Sequence, residues 1–117
     1  MAEHALSADL DVTPADVRAR HERGEIVLVD VREPYEHAAG RVAGARHVEL
    51  GRLAAEADTI ERDRPVIFYC RVGARSRMAA QAFRRAGWEA YSMAGGLEAW
   101  EHAALPLEPE DGHVADH

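Results

Sequence analysis

Hydrophobic residues along the chain fall into short clusters, separated by polar segments that contain proline or glycine. Two clusters, residues 26–31 and 65–69, are nearly continuous runs of β-branched and aromatic residues that do not alternate with polar ones. Strands that are apolar on both faces are typical of a parallel sheet that is covered on both sides. We therefore predict two central, fully buried strands.

Segments with helical spacing lie between and around these strands. Thr13 and Pro14 form a typical helix start, with the threonine as cap, and Gly24 marks the end of that helix. Further helices are predicted over residues 50–57, 76–86 and 97–103. The buried face of the longest helix is predicted to consist of Met78, Ala79, Ala82, Phe83 and Ala86.

Three shorter apolar segments, at residues 10–12, 45–48 and 89–93, complete the predicted strands. Strands that alternate with helices indicate an α/β domain, with a mostly parallel central sheet of about five strands and helices on both faces. We expect one domain over residues 1–117 with its core at about 12–105. Residues 1–9 and 106–117 are polar and predicted to be flexible tails.

The composition and the apolar pattern argue against several classes of function. The chain carries 21 acidic and 14 basic residues, for a net charge of −7, which argues against a nucleic-acid partner. No apolar run reaches the roughly 18 residues of a membrane span. The amino-terminal residues lack a basic-then-apolar signal pattern. We therefore expect a cytoplasmic protein, monomeric by default, with neither a nucleic-acid nor a membrane partner.

The single cysteine, Cys70, excludes an intramolecular disulfide and a zinc site built on several thiolates. The seven histidines are scattered without metal-ligand spacing, so we predict no metal and no cofactor. Cys70 follows a buried strand and precedes a helix, which is where open α/β sheets bind ligands. Inward-turned amides and the positive charges of Arg71, Arg75 and Arg77 would favour its thiolate. A nucleophile is therefore favoured over a buried, inert side chain.

Three stretches resemble signatures of the rhodanese-like sulfurtransferases. Residues 70–76, C-R-V-G-A-R-S, are similar to the active loop C-R-x-G-x-R-S of that family. Residues 30–45 resemble its first signature and residues 93–100 its closing one, L-x-G-G-x-x-x-W. Arg41 and Ala43 depart from the usual histidine and proline. We expect Arg41 to face solvent rather than the mouth of the loop.

The resemblance implies a three-layer rhodanese-like fold and a two-step sulfur relay. The Cys70 thiolate would take a sulfane sulfur from a donor such as thiosulfate and pass it from a persulfide to cyanide or a thiol. The amides of residues 71–75 would hold that persulfide. The residues expected to bind the substrate are Arg71, Val72, Gly73, Ala74, Arg75 and Ser76. Gly73 is expected to adopt an unusual backbone angle and Ser76 to cap the helix, with a possible hydrogen bond to sulfur.

Other charged and aromatic residues have less specific expected roles. Asp30, Arg32 and Glu36 either orient the cysteine loop or form an ion-pair network behind it, and the sequence leaves both interpretations open. We interpret Gly95-Gly96 as a turn and Trp100 as a core residue.

Two alternative functions share the Cys70 loop. A persulfide carrier or regulatory module would pass sulfur only to a dedicated protein. Arsenate reductases and phosphatases use a loop one residue longer, whereas Arg75 lies five positions after Cys70. The shorter loop suits a single sulfur atom better than a tetrahedral oxyanion. The sequence does not identify the physiological donor or acceptor.

Overall fold

A computed structural model describes residue 6 and residues 8–117. Its centre is a five-stranded sheet in which all paired strands run parallel. The strands are β1 Asp11–Val12, β2 Val27–Asp30, β3 Arg46–His47, β4 Val66–Tyr69 and β5 Ala90–Met93. Their spatial order is β1-β5-β4-β2-β3. The predicted α/β fold with a parallel central sheet is confirmed, including the short strand at residues 11–12 at one edge.

Helices connect the strands. They are α1 Pro14–Glu22, α2 Pro34–Ala39, α3 Leu53–Glu56, α4 Ala74–Arg85 and α5 Gly96–His102, and short 3₁₀ turns flank α3. Thr13 caps α1 as predicted, because its hydroxyl accepts a hydrogen bond from the Asp16 amide at 3.3 Å. Across the described residues, none of the helices has the length and apolar character needed to cross a membrane.

The sheet separates two apolar cores. Successive side chains of a strand point to opposite faces, so Phe68 of β4 lies in one core and Tyr69 in the other. The Phe68 core also contains side chains of α3 and α4, and the Tyr69 core contains side chains of α1 and α5. This arrangement explains why the two central strands lack polar alternation: each of their faces packs against helices.

Helix α4 differs from its prediction in start and orientation. It begins at Ala74, two residues before the predicted Ser76. Its buried residues are Ser76, Ala79, Ala80 and Phe83. Met78, Ala82 and Ala86 are exposed, so three of the five predicted face residues are wrong. Alanine has little apolar surface to bury, so several alanine stripes fit the helical spacing almost equally well and the sequence did not distinguish them.

The carboxyl-terminal segment, predicted as a flexible tail, makes specific contacts. The backbones of Arg41 and Glu108 exchange hydrogen bonds of 2.9 and 2.7 Å, and the His113 amide donates to Ala39 O at 2.9 Å. The Arg41 guanidinium donates to His37 O at 3.1 Å and lies 3.7 Å from the Glu108 carboxylate. Arg41 therefore joins the end of α2 to this segment instead of only facing solvent, and the flexibility of residues 106–117 stays a prediction.

A fully buried ion pair fixes the turn between β2 and α2. Asp30 Oδ1 and Oδ2 accept from Arg32 Nε and Nη2 at 2.9 and 2.7 Å, and His37 Nδ1 lies 2.8 Å from Asp30 Oδ2. Arg32 Nη2 also donates to Gly40 O at 2.7 Å. Burial by itself would raise the pKa of Asp30, but these hydrogen bonds and the arginine charge hold it below its usual value. The pair therefore stabilises the turn in its charged form.

The glycine turn before α5 holds the backbone of the cysteine segment. The amides of Leu97 and Glu98 donate to Cys70 O at 2.8 Å and Arg71 O at 3.0 Å. Gly96 has a φ of +63°, and a Cβ there would overlap Arg71 O and lie 2.6 Å from Cys70 O. The turn is thus a structural element, as expected, but one in direct contact with the candidate site.

Gly96→Ala should destabilise the protein by at least about 2 kcal/mol, because the new methyl group meets two carbonyl oxygens at a positive φ. Urea unfolding measures the change. Gly51→Ala is the matched control, since a Cβ there meets open space, and it should leave stability within about 1 kcal/mol. Equal stabilities for the two variants would contradict the assigned close contact.

Asp30→Asn should lower the free energy of unfolding at neutral pH by about 3–5 kcal/mol, because Arg32 would remain as a buried, uncompensated charge. The folded pKa of Asp30 is depressed, so its contribution is present above the unfolded pKa and is lost as pH falls through the folded one. Urea unfolding between pH 7 and pH 3 should therefore show a steeper acid loss for the native protein than for Asp30→Asn. Asp63→Asn, at an exposed ion pair, should match the native profile.

Candidate functional site

Cys70 lies directly after β4, at the carboxyl edge of the sheet, and its sulfur accepts two backbone hydrogen bonds. The Gly73 amide lies 3.1 Å from Sγ and the Ser76 amide 3.4 Å. Gly73 precedes α4 with a φ of +112°, which confirms the unusual backbone angle expected there. This turn aims the amino-terminal end of α4 at the sulfur, where the helix dipole favours negative charge.

Ser76 does not cap the helix, so that prediction is wrong. The positive φ of Gly73 starts α4 early, and Ser76 becomes its third residue. The Ser76 hydroxyl instead donates to Gly73 O at 3.2 Å, lies 3.5 Å from Cys70 Sγ and lies 2.7 Å from Ser92 Oγ. The distance between Ser76 Oγ and Cys70 Sγ therefore fits the hydrogen bond to sulfur that was expected of Ser76.

The amides predicted to hold a persulfide are only partly directed at Cys70 Sγ. Among the backbone amides of the described residues, those of Gly73 and Ser76 donate to Sγ, and residue 76 lies outside the predicted range of 71–75. Ala74 and Arg75 occupy the first turn of α4, where amides have no acceptor within the helix. Val72 lies between Arg71 and Gly73 with its side chain exposed.

Arg75 makes a bidentate ion pair with Glu36. Its Nη1 and Nη2 donate to the two carboxylate oxygens at 2.8 and 3.0 Å, and Glu36 is fully buried. Burial would raise the pKa of Glu36, but the hydrogen bonds from Arg75 and the Glu33 amide, together with the Arg75 charge, hold the pKa below its usual value. The hydrogen bond to Glu36 raises the pKa of Arg75. Glu36 thus contacts the cysteine loop directly, whereas Asp30 and Arg32 pair with each other behind it.

The other two arginines near the loop are also paired with carboxylates. Arg71 Nη2 lies 3.1 Å from Glu98 Oε2 and 3.6 Å from Asp116 Oδ1. Arg77 pairs with Asp11 on the edge strand. The arginines therefore supply less net positive charge than their number in the sequence suggests, and the backbone amides carry more of the electrostatic effect at the sulfur.

The sulfur itself is fully buried. Cys70 has 0% exposed surface and belongs to the core cluster that contains Phe68 and Phe83. The sequence analysis treated a buried apolar position and an anion-stabilising loop as alternatives for Cys70. The structure combines them, because apolar side chains surround the sulfur and two amides are directed at it. A reagent can reach Sγ only if the loop or the side chains above it move.

One group of residues near the site offers metal-ligating atoms. Atoms of Glu33, Glu36 and His117 lie within 4.8 Å of one another. Both oxygens of Glu36 already accept hydrogen bonds from Arg75. A cation would have to compete with that guanidinium, so the group does not indicate a metal centre.

Sequence reasoning missed Ser92 and Glu98, and it placed Gly96 outside the site. Ser92 carries a hydroxyl in an otherwise apolar stretch of a buried strand, and that isolated polar group was an available signal. Gly96 belongs to the quoted closing signature, but its contact with Cys70 O depends on tertiary packing. Glu98 lies on a helix surface with no feature that distinguishes it from other exposed acids.

Comparisons with known proteins agree with this geometry. The sequence profile of the rhodanese-like domain matches residues 13–103. The chain is 32% identical to the thiosulfate sulfurtransferase GlpE of Pseudomonas aeruginosa, over 88% of this chain and 93% of that protein. It is 37% identical to the HTH-type transcriptional regulator Rv0324 of Mycobacterium tuberculosis, over 83% of this chain but only 44% of the regulator.

A solved structure shares the same architecture. The crystal structure of a rhodanese-related protein from Thermoplasma volcanium superposes with a TM-score of 0.78 and 24% identity, over 85% of this chain and 97% of that one. The domain match, the sulfurtransferase relative and the common fold agree. The chain belongs to the rhodanese-like domain family, a family of sulfurtransferases.

Proposed function

We propose that this protein moves a sulfane sulfur from thiosulfate or a persulfide donor to cyanide or a thiol, through a persulfide on Cys70. The observation that carries the proposal is the pair of backbone amides, from Gly73 and Ser76, that donate to Cys70 Sγ. Two donors and a helix amino-terminus stabilise the Cys70 thiolate, which is the nucleophile of the first step and the leaving group of the second.

In the first step, the Cys70 thiolate attacks the outer sulfur of thiosulfate. A new S–S bond forms as the S–S bond of thiosulfate breaks, and sulfite leaves with the bonding electron pair. The outer sulfur keeps the negative charge that it carries in thiosulfate and becomes the end of the persulfide anion, while sulfite takes the charge that the thiolate loses, so no proton or external oxidant is needed. The amides of Ala74 and Arg75, which lack helical acceptors, are the nearest further donors along the chain for that sulfur.

In the second step, an acceptor takes the outer sulfur and restores the Cys70 thiolate. Cyanide would leave as thiocyanate, and a thiolate would leave as a new persulfide. The chain has no second cysteine, so it cannot resolve the persulfide internally. The acceptor must come from outside, and the two half-reactions follow a ping-pong order.

Access to the buried sulfur is part of the proposed cycle. Residues 71–73 join Cys70 to α4, and the exposed Val72 lies in this loop segment. A shift of this segment opens the sulfur to a small anion while α4 stays anchored by the Arg75–Glu36 pair. We propose a reaction that needs no metal or cofactor and takes place in the cytoplasm on a monomer.

A persulfide carrier or regulatory module is the second candidate. The similarity to a transcriptional regulator, of which this domain would make up less than half, favours it. The two candidates share the Cys70 persulfide but differ in turnover with small molecules. Phosphatase or arsenate reductase activity is disfavoured, because Arg75 follows Cys70 by five positions and is already paired with Glu36.

Intact-mass measurement after incubation with thiosulfate tests the persulfide. The native protein should gain the mass of one sulfur atom, and Cys70→Ser should gain none. A thiocyanate assay with cyanide then separates an enzyme, which turns over, from a carrier, which releases sulfur once at most. A native protein that gains no sulfur from thiosulfate or from a thiol persulfide, yet hydrolyses an aryl phosphate, would overturn the proposal.

Arg75→Gln should slow persulfide formation roughly ten- to a hundredfold, because it removes a charge-assisted interaction at the start of α4 and leaves Glu36 unpaired. Rapid-quench mass analysis measures the rate. Arg77→Gln is the matched control on the same helix; its pair with Asp11 is exposed, so the rate should stay within about twofold. Equal rates for the two variants would show that Arg75 does not support the reaction.

A further inference from the structure

Ser92 places a second buried hydroxyl behind the cysteine. It lies on β5 in register with Phe68 of β4, and its side chain is fully buried. Ser92 Oγ lies 2.7 Å from Ser76 Oγ, which lies 3.5 Å from Cys70 Sγ. The three groups form a continuous line from the interior of the sheet to the sulfur, and the proposed mechanism above does not use Ser92.

Each hydroxyl of this line has one proton to donate. Ser76 has two other acceptors within range, Gly73 O at 3.2 Å and Cys70 Sγ. Within residue 6 and residues 8–117, the hydrogen-bond partner found for the Ser92 hydroxyl is Ser76. A buried hydroxyl proton without an acceptor is costly, so the Ser92 proton points to Ser76 Oγ. The Ser76 proton is then free to point either to Gly73 O or to the sulfur.

We propose that Ser92 is a positioning residue that acts on Cys70 through Ser76, an inference that rests on the proposed sulfur transfer. By donating to Ser76, Ser92 prevents the Ser76 proton from turning toward β5 and strengthens Ser76 as a donor. When the sulfur is anionic, as thiolate or persulfide, the Ser76 proton turns from Gly73 O to sulfur because a charge-assisted bond is the stronger one.

A purely structural role for Ser92 predicts a different outcome. A serine that only fills space or pairs two secondary structure elements would change stability and leave the charge state of Cys70 untouched. A serine that orients Ser76 would change how readily Cys70 becomes anionic, and this effect would disappear once the Ser76 hydroxyl is removed. The titration of the single cysteine separates the two roles, since every thiolate signal comes from Cys70.

The test is an ultraviolet thiolate titration of the full chain, with Cys70→Ser subtracted as background. We compare the native protein with Ser92→Ala, Ser76→Ala, the double variant and Ser92→Thr. Tyr91→Phe is the matched control, because it removes a hydroxyl from the neighbouring position of β5 on the opposite face of the sheet. Thermal unfolding of each variant is recorded in parallel, and persulfide formation from thiosulfate is measured by mass.

Ser92→Ala should move the titration midpoint toward higher pH by roughly half a unit to one unit, and should slow persulfide formation about three- to tenfold. The double variant should shift no further than Ser76→Ala alone. Ser92→Thr should restore the native midpoint, and Tyr91→Phe should leave it unchanged.

The proposal is overturned if Ser92→Ala changes only thermal stability, or if its shift adds fully to that of Ser76→Ala. Failure of sulfur transfer itself gives a separate result. In that case the native protein would gain no sulfur from any donor, while the midpoint shift of Ser92→Ala would still report on the hydroxyl line.

Discussion

Cys70 is hydrogen-bonded from two helices, through its backbone and through its sulfur, and the rest of the site depends on this constraint. The start of α5 donates to the carbonyl oxygens of Cys70 and Arg71, while the start of α4 donates to the sulfur. Each helix is preceded by a glycine with positive φ, Gly73 before α4 and Gly95 before α5, where the chain turns sharply. Peptide groups are rigid and neutral, so their dipoles stabilise an anion without attracting a competing counter-ion.

The arginines near the site act within ion pairs and not as free positive charges. Arg75 is bound to Glu36, Arg71 to Glu98 and Asp116, and Arg32 to Asp30. Pairing fixes each guanidinium in one place and cancels most of its field at a distance. The electrostatic field at the Cys70 sulfur therefore comes mainly from the short-range donors around it, while the ion pairs hold the elements that carry these donors.

Much of the fold was predictable because it follows from local pattern. The central strands are continuous apolar runs, and glycine and proline mark the helix ends. The loop at Cys70 was predictable from the strand that precedes it. The orientation of α4 was not, since alanines on several sides of the helix left the buried stripe undetermined.

The site was only partly predictable, because its partners meet through tertiary packing. Ser92 and Ser76 come from different elements, and the contact of Gly96 with the Cys70 carbonyl needs α5 to pack against the loop. The full burial of the sulfur also arises from packing, because Cys70 lies in the core that contains Phe68 and Phe83. A bidentate link of this kind joins Glu36 and Arg75, 39 residues apart in the chain. Neither residue can change safely alone, so related sequences should either keep both or exchange them together, and this pair should leave a covariation signal.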